Sequence, residues 1–137
     1  MEILELHHVS LPTADLERSK AFYRDVLGLQ ELARPDFPFP GAWYRLGDRE
    51  LHLIGGEPAT WPADAGPHPR RLHLAVRVAS FAAALARLEA AGYREDKPAE
   101  DPRRLMIQRR PVTGYPQIYL VDPDRHLIEI NAARLDG

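Results

Sequence analysis

Leu6-His7-His8-Val9-Ser10-Leu11 and Leu72-His73-Leu74-Ala75-Val76 are two versions of one phrase. Each is a short apolar run opening on a histidine. The first leads into an amphipathic stretch from Asp15 to Leu27, closed by Gly28; the second leads into Ser80 to Ala91, closed by Gly92. A strand–helix unit stated twice at this spacing predicts two tandem modules of the same architecture.

Working outward from the first copy, residues 2–11 read as a strand. Asp15 or Thr13 can cap the next helix by accepting backbone N–H bonds. Leu16, Phe22, Tyr23, Val26 and Leu27 fall mostly on one helical face, and Gly28 supplies the stop. Residues 29–33 read as a second strand. Residues 35–41 carry three prolines, too many for a central sheet, and read as a loop. Residues 42–46 and 50–54 form a hairpin around Gly47-Asp48.

The second half repeats the order. His73 to Val78 is a strand, and Ser80 caps a helix whose apolar stripe is Phe81, Leu85 and Leu88. Tyr93 to Asp96 is a weaker strand. Residues 97–114 read as irregular, with an apolar interruption at Leu105-Met106-Ile107. Gln117 to Val121 and His126 to Asn131 close the chain as a hairpin. The expected class is α+β, two βαβββ modules in one domain spanning residues 1–137: module one at 1–56, a Gly- and Pro-rich linker at 57–70, and module two at 71–137. Neither module can bury both faces of its sheet alone, so the modules pair, within the chain or between chains.

The 137 residues are 45% hydrophobic and 28% charged, ordinary values for a globular domain. A net charge of −2 leaves no electrostatic footprint for nucleic acid or an anionic membrane. No apolar run approaches the roughly 18 residues of a membrane span. Cysteine is absent, which excludes disulfides and thiolate metal sites. The first residues, Met1-Glu2-Ile3-Leu4-Glu5, lack a signal-peptide layout, so the cytoplasm is the expected address.

Strand parity then selects candidate functional residues, because neighbours at ±2 share a face. His73 lies with Ala75 and Arg77, opposite Leu74, Val76 and Val78; Glu129 lies with Leu127 and Asn131, opposite Ile128 and Ile130. His52 faces away from Leu51 and Leu53, and His8 away from Val9 and Leu11. Four strands each send one imidazole or carboxylate to the helix-free side: His8, His52, His73 and Glu129. Three imidazoles and a carboxylate suit one divalent ion such as Zn, Ni, Fe, Mn or Co, with room for substrate. A single histidine is more often a surface residue than a ligand; the repeat and the shared face are what raise these four above that. Glu129 adds a charge between two branched residues, where an unpaired carboxylate is expensive. His7 reads as structural, and His68 in its loop and His126 beside a turn as solvated.

Three segments resemble the vicinal oxygen chelate superfamily, the glyoxalase/bleomycin resistance/dioxygenase fold: Leu6 to Pro12 with Asp15 to Leu29, Leu72 to Val76, and Asp122 to Ile130. The resemblance implies two βαβββ modules forming an incomplete barrel of mixed sheet around a metal, with His8, His73 and Glu129 as ligands and His52 at a fourth ligand position. It also brings in Tyr119, ten residues before Glu129, as a catalytic candidate beside Glu129. Glyoxalase I proteins usually carry Glu at the position of His52 and an Asn shortly after; here Ile54-Gly55-Gly56 follows, a departure that bears on glutathione as the thiol.

The activity this implies is a metal-dependent glyoxalase-like lyase or isomerase, acting on a small molecule that chelates the metal through vicinal oxygens. The alternatives are an Fe(II) extradiol-type dioxygenase and a non-catalytic drug binder of the bleomycin-resistance kind. Trp43, Tyr44 and Tyr115 are candidate pocket walls, and Arg45, Arg109 and Arg110 candidate anchors for an acidic substrate. A homodimer is expected, with the ligands of one site drawn from one chain or from two.

Overall fold

The first strand, β1 (His8–Thr13), begins six residues later than the sequence predicts. Its partner explains why. β1 runs parallel to β4 (Arg49–Gly55), pairing His8 with Glu50 at one end and Thr13 with Gly55 at the other. The turn at Gly47 (φ 65°) precedes β4, so residues before His7 have no strand opposite them, and Ile3, Leu4 and Leu6 are exposed. The computed structural model describes residues 1–137, which divide into two units, Met1–Ala59 and Thr60–Gly137.

In the first unit β4 also pairs antiparallel with β3 (Gly41–Leu46), and β3 with the two-residue β2 (Glu31–Leu32), giving the order β1-β4-β3-β2. Helix α1 (Leu16–Ala21) starts at Asp15, whose side chain accepts the Arg18 N–H at 3.1 Å. Thr13 takes a different part: its hydroxyl bonds the buried Ser19 hydroxyl at 2.7 Å, tying the end of β1 to α1. The helix continues as a π-helical turn, Phe22–Val26, which places the consecutive residues Phe22 and Tyr23 both in the core. Gly28, at φ 73°, ends it. Ala42, Tyr44, Leu51 and Leu53 form the rest of the buried, helix-facing side.

The second unit repeats the topology. β5 (His73–Val78) runs parallel to β8 (Leu127–Ala132), followed by β7 (Gln117–Val121) and β6 (Met106–Gln108), in the order β5-β8-β7-β6. Helix α2 (Phe81–Ala90) is capped by the Ser80 hydroxyl, which accepts from the Ala83 N–H, and the Asp136 carboxylate accepts the Ala82 N–H at 2.9 Å. The sequence places the second strand of this module at Tyr93–Asp96. Tyr93 instead finishes the helix, its N–H bonding the Leu88 carbonyl, and Arg94 makes only an isolated bridge to Arg104. The apolar interruption at Leu105-Met106-Ile107 supplies the strand, as β6 at Met106–Gln108, because it is what lies alongside β7. Residues from Thr60 to Arg70, read as linker, belong to the second unit: the Trp61 indole N–H donates to His126 Nδ1 at 3.1 Å. His126 is therefore buried and paired, not solvated. Each unit is thus an open mixed sheet with one helix, as the βαβββ reading requires.

Candidate metal centre

The two sheets share one register. Ser10 lies opposite His52 as Ala75 lies opposite Glu129, and Trp43 opposite His52 as Tyr119 opposite Glu129. The four candidate ligands therefore fall into two equivalent pairs, His8 with His52 and His73 with Glu129, one pair in each unit. Within either unit no three His, Asp or Glu side chains gather in a metal-ligand cluster.

In the second unit Ala75 leaves space beside Glu129, and His73, one same-face position back, reaches into it. His73 Nε2 stands 3.3 Å from Glu129 Oε2. Two ligands about 2.1 Å from one ion lie about 3.0 Å apart at an octahedral edge and about 3.4 Å apart at a tetrahedral one, so the pair has the spacing of two ligands to one ion. The proton positions agree with this. His73 Nδ1 lies 2.7 Å from the Arg71 carbonyl oxygen, which can only accept, so Nδ1 carries the hydrogen. In the neutral ring Nε2 then presents a lone pair to a carboxylate oxygen, and such a pair calls for a cation between them or a second ring proton. A ligand histidine whose other nitrogen donates to a backbone carbonyl is the usual outer-shell arrangement at a metal.

Glu129 is buried on the middle of β8. Its Oε1 accepts from Asn131 Nδ2 at 2.7 Å and Gln117 Nε2 at 3.0 Å, leaving Oε2 for His73. Burial works to raise its pKa, but the bonds from Asn131, Gln117 and the Tyr119 hydroxyl, with His73 nearby, outweigh burial and hold the carboxyl below its usual range. Burial and the adjacent Glu129 push the Tyr119 hydroxyl up to about 12, so Tyr119 stays protonated and donates. Its ring meets His73 edge-on, with centroids 5.8 Å apart.

The first unit is arranged differently. The His52 ring is sandwiched between Trp43, 4.1 Å away at 5°, and His8, 4.2 Å away at 17°. A metal sits in the plane of a ligating imidazole. Two rings stacked face to face have nearly parallel planes, and their lone pairs do not meet on one ion. His52 Nε2 is also engaged, 2.7 Å from Glu50 Oε2. That hydrogen bond is the main reason the Glu50 carboxyl lies below its ordinary pKa. Glu50 was not among the residues singled out in the sequence, although it stands two positions from His52 and so shares its face. His8 is exposed, with Nδ1 2.8 Å from His7 Nδ1.

The other candidates divide by side of the sheet. Trp43 is half-buried on the His52 face, and Phe37 extends the ring series at 6.1 Å from it. Arg45 is exposed on the same face. Tyr44, one residue from Trp43, necessarily points the other way: it is fully buried on the helix side near Tyr23, its hydroxyl has no hydrogen-bond partner, and burial pushes that hydroxyl up to about 12. It does not line the helix-free face. Tyr115 is half-buried beneath the Arg77 guanidinium, 4.9 Å away. Arg110 is exposed beyond β6, and Arg109 is paired with Glu95 at 2.7 Å.

The model of the Glyoxalase/Bleomycin resistance protein/Dioxygenase superfamily matches residues 5–130. Over 132 residues the chain is 27% identical to Glyoxylase I 4 of Arabidopsis thaliana, covering 95% of this chain and 71% of that one. Among solved structures, a glyoxalase family protein from Bacillus anthracis superposes with a TM-score of 0.74 at 21% identity, over 96% of this chain and 97% of that one. Lactoylglutathione lyase from Agrobacterium tumefaciens gives 0.65 at 20%, over 93% and 92%. A variant of the fosfomycin resistance protein FosX from Listeria monocytogenes, in complex with Mn(II) and 1S,2S-dihydroxypropylphosphonic acid, gives 0.71 at 20%, over 98% and 95%. At these identities the superpositions establish the fold, two βαβββ modules.

Proposed function

The chain belongs to the glyoxalase/bleomycin resistance protein/dioxygenase superfamily, and from that premise we propose that it is a metal-dependent, glyoxalase-like lyase or isomerase. Its substrate is a small molecule that binds through two vicinal oxygens. The observation that carries this reading is the His73–Glu129 pair, 3.3 Å apart and with no proton assigned between the facing atoms once Nδ1 is given to the Arg71 carbonyl. His8, His73 and Glu129 are the proposed ligands, the two units' contributions drawn from one chain or from two, and His52 joins as a fourth where its ring leaves the stack with His8 and its bond to Glu50. A divalent ion held by these residues would supply Lewis acidity toward adjacent substrate oxygens. Glu129, held below its usual pKa by its hydrogen bonds, supplies the negative ligand, and its Oε2, which faces His73, is the proposed proton acceptor. Tyr119 holds that carboxylate in place as a donor. Trp43 on the first unit and Tyr115 on the second are the proposed substrate contacts, from one chain or from two.

One observation favours a second reading. With His52 bound to Glu50 and stacked on His8, the ligand set reduces to His8, His73 and Glu129, the two-His-one-carboxylate set of non-haem Fe(II) oxygenases. His52 is then an acid–base group outside the metal shell. Metal content of the purified protein, followed by assays with a hemithioacetal under Ni or Zn and a catechol under Fe(II), separates the two. A protein that takes up no divalent ion, and whose melting temperature ignores added Ni, Zn, Mn and Fe(II), is a binder and overturns both. Mixing His8→Ala with Glu129→Ala protein, under conditions where subunits exchange, shows whether one site draws on one chain or two: recovered activity means two.

A further inference from the structure

Beyond the metal ligands, strand β5 carries a charged group on the same face as His73. Arg77 lies two same-face positions from His73 and directly opposite Asn131 in the β5–β8 register. Its Nε donates to Asn131 Oδ1, while Asn131 Nδ2 donates to Glu129 Oε1. An arginine only donates and a carboxylate only accepts, so the orientation of the Asn131 amide is fixed by its neighbours. The guanidinium rests over the Tyr115 ring, 4.9 Å from its centroid, which backs it. The side chain is solvent-exposed, and its two terminal amino groups make no bond to the protein. A cation fixed at Nε and backed by a ring, with its forked end unspent, is pre-organised for a planar anion.

We propose that Arg77 is the specificity-determining residue of this site and that the substrate carries a carboxylate, received by the Arg77 fork while its vicinal oxygens lie at His73 and Glu129. The inference rests on the metal-site reading above. Successive same-face residues of a strand are roughly 7 Å apart, and Arg77 stands one such step from the level of Glu129 and two from His73, so the anion sits about one step beyond the oxygens held at Glu129. This corresponds to a carboxylate a few bonds along the substrate. The first unit has Pro12 at the register position of Arg77 and Ile54 at that of Asn131, so the feature belongs to the second unit alone.

The test compares two chelators on the metal-loaded full chain by calorimetry. Lactate and 2-hydroxyglutarate share the hydroxy-acid chelate and differ in a distal carboxylate. The wild type should bind 2-hydroxyglutarate about 10-fold tighter or more. Arg77→Met should remove that preference while leaving lactate affinity and metal content unchanged, and Arg77→Lys should keep part of it. Equal affinities in the wild type, or a preference that survives Arg77→Met, overturn the proposal. So does an equal loss for both ligands, which would make Arg77 a support for Asn131. If no metal loads, the metal reading fails on its own and glutarate binding to the metal-free chain decides the arginine: weakening of about 5-fold or more in Arg77→Met supports it, and no change overturns it.

Discussion

His52 and Glu129 occupy the same register position in their two sheets, each flanked by a small residue on the parallel strand and an aromatic ring on the antiparallel one. The equivalent of Glu50 in the second unit is Leu127. The units therefore differ by a swap: the first carries imidazole at the ligand position with a carboxylate beside it, the second a carboxylate with an aliphatic neighbour. Copying the second arrangement into the first, with His52→Glu and Glu50→Leu together, should give the metal a second carboxylate and shift preference toward Mn over Ni by about 10-fold. Competition with a metal chromophore measures this. An unchanged preference would mean that position 52 does not face the ion.

The bonds to Glu129 Oε1 carry their own prediction. Gln117 touches no proposed metal ligand other than Glu129, to which it donates at 3.0 Å. Gln117→Leu should leave the fold intact and weaken metal binding by about 10- to 100-fold, the usual consequence of losing an outer-shell partner. Glu129→Gln should abolish it. Titrating both variants in the same assay gives the ratio, and a Gln117→Leu protein with wild-type affinity would count against Glu129 as a ligand.

Much of this was legible in the sequence, and where it was not, the reason is physical. Parity placed His8, His73, His52 and Glu129 on helix-free faces because strand alternation is a local property that needs no knowledge of partners. The same rule, carried further, reaches Glu50 and separates Trp43 from Tyr44, since adjacent strand residues cannot share a side. Arg77 stood on the His73 face but looked like any surface arginine until Asn131 and Tyr115 were seen to hold it. The limits of β1 and the identity of β6 depend on where β4 and β7 lie, which no local pattern states. The π-helical turn keeps an apolar pattern that an α-helix would also satisfy.

Acid should loosen the second unit through Asp136. The Ser80 hydroxyl and the Ala82 N–H at the start of α2 bond its carboxylate and lower its pKa from 3.8. A folded-state value below the unfolded one means the contribution is fully present above 3.8 and fades as pH falls through it toward the lower folded value. Asp136→Asn should therefore be less stable than wild type at neutral pH, with the difference closing below pH 3.8. Urea midpoints of the two proteins across that range are the measurement; a constant difference would place the effect in packing, not charge.

Tyr44 gives the sharpest separation of core from site. It is fully buried and its hydroxyl is unpartnered, a condition that costs about 1–3 kcal/mol. Tyr44→Phe removes the stranded oxygen while keeping the ring that packs 6.0 Å from Tyr23. The variant should be more stable, by roughly 1 kcal/mol in thermal or urea unfolding, with metal affinity and turnover unchanged. Trp43→Ala on the opposite face should do the reverse. It takes away the ring stacked on His52, so it should alter substrate affinity and leave His52 free to rotate about its own bond to Glu50. If Tyr44→Phe instead lowered activity without changing stability, the tyrosine would have to reach the helix-free face, and the strand register of the first unit would be wrong by one residue.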